Sequence, residues 1–134
     1  MSMVTCSGYG ADEALEYMDK MLSVYGFNLA PSLELQFQPG KVPEKSLALN
    51  REKSIRAVEV LVAKIKKGER DKPSINLMVP FNIFKYVSEL DEKLMPADFE
   101  YYKDKEDYYY DANIPFYKKF IAKRVSDKII GHFD

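Results

Sequence analysis

Side chains that ordinarily carry out reactions are scarce in this 134-residue chain, which holds one histidine, His132, and one cysteine, Cys6. Nucleophilic catalysis by a Ser/His/Asp or Cys/His set would depend on that one imidazole, at the opposite end of the chain from the thiol. Zinc-type sites need Cys and His at short, repeated spacings, and this sequence has no such cluster. No GxGxxG or GxxxxGK[ST] loop is present, and Ser7-Gly8-Tyr9-Gly10 is too short to cradle a phosphate. Asp98, Glu100, Asp104, Glu106, Asp107 and Asp111 offer the carboxylate oxygens that Mg²⁺ prefers. Lysines interleave them in no fixed ligand pattern, so they read as a solvated charged segment. The expectation is a non-enzymatic protein with no catalytic residue, metal or cofactor.

What remains is non-covalent recognition. The formal net charge of −1 conceals segregation, since residues 51–72 sum to +4 and residues 89–113 to −6. Lys53, Arg56, Lys64, Lys67, Arg70 and Lys72 could neutralise several phosphates and give a salt-dependent affinity for nucleic acid. Just after them, Ser74, Asn76 and Met78 alternate with Ile75, Leu77 and Val79, as on a strand whose polar face could read base edges in a major groove. A second reading places the contact in the acidic segment EYYKDKEDYYYD. Tyr101, Tyr102, Tyr108, Tyr109 and Tyr110 supply broad, stiff contact area, and Asp104, Glu106 and Asp107 supply charge for a basic protein partner. On that reading the chain is a protein-interaction module or an inhibitor of the viral or mobile-element type. Of the two, nucleic acid is narrowly favoured.

The elements that would position these residues follow from periodicity. Leu15, Met18, Leu22 and Tyr25 recur at helical spacing, and Leu33, Leu35 and Phe37 alternate with polar residues as on a half-buried strand. Ser46–Leu49 could return as a second short strand. Asn50 suits the N-cap of a helix over Arg51–Lys67, whose stripe of Ile55, Val58, Leu61, Val62 and Ile65 reads as core. After the alternating Ser74–Val79, Pro80 suits the first turn of a helix carrying Ile83, Val87, Leu90 and Leu94. A final helix begins near Asn113 and carries Tyr117, Phe120, Ile121, Val125 and Ile129.

These elements make an α+β fold, with a small antiparallel sheet of two or three short strands packed with about four helices. At this length one domain over residues 1–134 is expected, with an acidic Tyr-rich insert at about 96–112. Hydrophobic runs fall short of a membrane span, no leader is evident, and the unpaired Cys6 suits a reducing compartment. The sequence therefore reads as cytoplasmic, with no membrane partner. The wide apolar sides of the last two long helices leave room for a homodimer.

Residues 74–90, SINLMVPFNIFKYVSEL, also resemble the strand and first helix of ribbon-helix-helix DNA-binding proteins. In that family the strands of two subunits pair and enter the major groove. The resemblance implies groove-facing roles for Ser74, Asn76 and Met78, with Ile75, Leu77 and Val79 turned into a dimer core. It does not extend to the family's short loop and second helix, because Met95–Ala112 intervenes here.

Overall fold

The computed structural model describes residues 1–7, 9–37, 40, 43–68 and 70–132. It is an α+β fold of two strands and five helices among those residues. The chain divides into two compact units, one of Met1–Ser23 with Phe27–Glu69 and the other of Val24–Gly26 with Arg70–Asp134.

In the first unit, β1 (Met3–Cys6), α1 (Ala11–Val24) and β2 (Leu33–Gln36) form a strand-helix-strand crossover, and α2 (Glu44–Lys67) follows. The strands pair in parallel, with Met3 opposite Leu33 and Cys6 opposite Gln36, so the expected antiparallel sheet is not present. The reason is α1, whose 14 residues carry the chain back to the end where β1 began, as parallel pairing requires. β1 was not expected; its signal is the Val4-Thr5 pair inside a four-residue run too short to show alternation. Ser46–Leu49 is not a third strand but lies in the first two turns of α2, where the Pro43 carbonyl accepts from Ser46 N at 2.9 Å and Leu47 N at 3.2 Å. Pro39, two residues past Phe37 and in sequence a signal that ends a strand, lies outside the described residues. The Asp19 carboxylate on α1 accepts hydrogen bonds from the hydroxyls of Ser2 and Ser32, tying the starts of both strands to the crossover helix.

The second unit is helical: α3 (Ile75–Leu90), α4 (Pro96–Tyr102) and α5 (Phe116–Ile130). The strand expected at Ser74–Val79 is instead the start of α3, and Pro80 lies inside that helix rather than opening it. Alternation over six residues also fits the beginning of an amphipathic helix, and burial decides between them. Met78, Phe81 and Ser88 are buried, at the three- and seven-residue spacings of a helix face. Against that face α5 lays Ala122 and Ser126, both almost fully buried and both small enough for a close helix approach. Phe81 is fully buried and lies 5.6, 5.7 and 4.9 Å from the ring centres of Tyr102, Tyr108 and Tyr109. Among the described residues no helix is long and apolar enough to cross a membrane.

Candidate functional site

The tyrosines proposed as a contact surface are mostly interior. Tyr102, Tyr108 and Tyr109 belong to the core of the second unit, Tyr110 is half-buried, and Tyr101 alone of the five is exposed. Three of the hydroxyls have partners within the second unit. Tyr109 donates to the Val24 carbonyl at 2.9 Å, Tyr102 donates to the Tyr109 oxygen at 3.4 Å, and Tyr110 donates to the Asp71 carbonyl at 2.7 Å. Burial pushes the Tyr108 hydroxyl up to about 12 and raises those of Tyr109 and Tyr102. A phenol withdrawn from water and bonded in its neutral form is a structural element. Of the acidic members, Asp104 and Glu106 are exposed, while Asp107 forms an ion pair with Lys119 of α5. Sequence alone could not separate these tyrosines from surface ones, because their phenols suit either place.

The residues proposed for nucleic acid are divided between the units. Lys53, Arg56, Lys64 and Lys67 lie on α2, whereas Arg70, Lys72, Ser74, Asn76 and Met78 belong to the second unit. Arg70 stacks its guanidinium 4.8 Å from the centre of the Tyr110 ring, and Lys72 is exposed. Ser74 precedes α3, Asn76 is exposed in its first turn, and Met78 is buried, so these three share no strand face. On α2, Arg56 pairs with Glu52 at 2.5 Å and Lys64 donates to the Leu29 carbonyl at 2.7 Å. Lys53 is half-buried.

The helix that carries these cations presents a different feature. Asn50 and Ala57 are buried and Leu61 is half-buried, which marks the side of α2 turned toward β2. Asn50 does not cap a helix, since α2 starts six residues earlier at Glu44; its amide instead bonds Gln36 of β2. The rest of the apolar stripe is outside. Ile55, Val58, Val62 and Ile65 are 51, 50, 40 and 68 % exposed. Position around the helix explains this departure from the expected core. At 3.6 residues per turn Asn50, Ala57 and Leu61 share the side turned toward β2, and Ile55, Val58, Val62 and Ile65 fall on the neighbouring side, turned away from it. These four side chains follow each other at three, four and three residues, forming a straight exposed row.

A groove of about 490 Å³ lies between α3 and α5 in the second unit, with Asn82, Tyr86, Phe116 and Phe120 in its lining. Its charges are mixed, and Asn82 is already bonded to Ser126 at 3.2 Å. Among the described residues no group of three or more His, Cys, Asp or Glu side chains could hold a metal ion. The chain matches no family model, and neither the curated proteins nor the solved structures contain a significant match to it.

Proposed function

We propose that this chain is a non-enzymatic binding module whose docking element is α2 and whose partner is a protein. The observation that carries this reading is the exposed row Ile55, Val58, Val62 and Ile65. Four β-branched side chains aligned on one helix face and left in water form a contiguous apolar patch, the kind of surface that marks a protein contact. Helix-in-groove and helix-on-helix recognition both use anchors at this spacing. The test is a photo-crosslinking amino acid at position 58 of the full chain in cells. Discrete protein adducts that disappear when Ile65→Asp is added are expected. No adduct from position 58, or adducts unchanged by Ile65→Asp, would sink the reading.

A second reading remains nucleic acid, supported by Arg56, Lys64 and Lys67, which are exposed on one side of α2. Without a strand at Ser74–Val79 the surface has phosphate-directed charge and no base-reading element, so binding would be sequence-tolerant and steeply salt-dependent. Fluorescence anisotropy with mixed duplex and single-stranded DNA and RNA at low and moderate salt tests it. An Arg56→Glu/Lys64→Glu/Lys67→Glu variant would lose that binding while leaving position-58 adducts in place.

A further inference from the structure

We infer that the protein docked on α2 is a second copy of this chain, and that the two α2 helices pair antiparallel. This deepens the docking reading above and rests on it. The spacing of three, four and three is the heptad seam of one helix against another, with Ile55 and Val62 at the first apolar position and Val58 and Ile65 at the second. A groove on another protein accepts anchors at the same spacing, so the charges that flank the row are what favour a like helix.

Charge selects the direction. Continued toward the N-terminus, the seam reaches Arg51 at the second position, and in parallel copies the two Arg51 guanidiniums would face each other. In the antiparallel pair, Ile55 layers on Ile65 of the second copy and Val58 on Val62, and Arg51 falls beyond the end of the other helix. The same register brings Glu52 alongside Lys66 of the second copy, and by the two-fold symmetry this attraction occurs twice. Glu59 meets its own equivalent near the axis, a single mild repulsion. A parallel pair aligns neither opposite charge, because the positions that would face Glu59 and Lys66 hold Ser54 and Leu61. Glu52 is also bonded to Arg56 of its own helix, but both side chains are well exposed and the pair is weak enough to be shared.

The seam occupies about 15 Å of helix, so the interface is small and the dimer is weak. Sedimentation velocity from about 1 to 300 µM is the first measurement. A concentration-dependent shift from monomer to dimer is expected, abolished by Val58→Asp. Glu52→Lys and Lys66→Glu should each weaken association about fivefold, and the double exchange should restore it.

Orientation is read separately in the Cys6→Ser background with a short bismaleimide. Glu59→Cys should cross-link to itself, whereas Ile55→Cys, whose equivalents lie about 15 Å apart along the antiparallel axis, should not. This arm needs no charged residue in the seam and so stands even if Val58→Asp fails to fold. A monomer at every concentration overturns the inference, as does efficient Ile55→Cys cross-linking without Glu59→Cys. Position-58 photoadducts to other proteins beside a monomeric chain would leave the docking reading intact and remove only the second copy.

Discussion

Asn50 bonds one residue of a neighbouring strand through both ends of its amide: Nδ2 donates to the Gln36 carbonyl at 2.7 Å, and Oδ1 accepts from the Gln36 N–H at 3.4 Å. Those backbone groups point away from β1, whose Cys6 carbonyl is bonded to Phe37 N at 2.8 Å. Asn50 therefore does at the outer edge of β2 what a third strand would do, and its burial on α2 holds the helix to the sheet.

Replacing Asn50 by alanine should cost about 1–3 kcal/mol, because it strips the partner from two backbone groups and leaves a hole where the amide was. Urea unfolding followed by far-ultraviolet circular dichroism is the measurement. Asn50→Asp, which keeps an acceptor but loses the donor to the Gln36 carbonyl, should also destabilise. If both variants unfold at the wild-type urea concentration, the pairing with Gln36 contributes nothing.

Gly26→Ala should disrupt the second unit. Gly26 has φ +81°, where a Cβ is strained, and an added Cβ would run into the Tyr109 ring. The ring cannot simply retreat, because its hydroxyl is bonded to Val24 and it packs against Phe81. A loss of about 2–4 kcal/mol is expected, together with loss of the near-ultraviolet tyrosine signal. Full near-ultraviolet signal and unchanged stability in the variant would contradict this packing.

The tyrosine core should make the protein alkali-sensitive. Burial raises Tyr108 from 10.0 to about 12, and Tyr109 is raised by burial and by its hydrogen bond with Tyr102. Because the folded state favours the neutral phenol, the associated stability is fully present below the unfolded pKa near 10.0 and is lost as pH rises through about 12. Titration at 295 nm should show Tyr108 and Tyr109 ionising late and cooperatively, in a step that coincides with unfolding. A single titration near pH 10 for all tyrosines in a folded protein would show these phenols to be solvated.

Legibility depended on whether a pattern could be satisfied locally. The α+β class, α1, β2 and the last helix were readable, since a periodic apolar face implies its own element. Ser74–Val79 was misread because six alternating residues suit both a strand and a helix start, and the choice was made by Phe81 and Ser88 further along. The exposed row on α2 was misread in the opposite sense. Ile55, Val58, Val62 and Ile65 look like core in any sequence, but the side of α2 that meets β2 is the one carrying Asn50 and Ala57.

By itself, the sequence determined that the chain holds one histidine, one cysteine and neither a GxGxxG nor a GxxxxGK[ST] loop, and that charge is segregated along the chain. It also determined where most helices run, because helix formation depends on near neighbours. The tertiary structure decided which residues meet. It placed three tyrosines around Phe81, paired the strands in parallel across α1, and divided the basic residues between two units. Those outcomes depend on contacts between residues distant in the chain, where the free energy of burial is shared among many side chains and no local spacing records it.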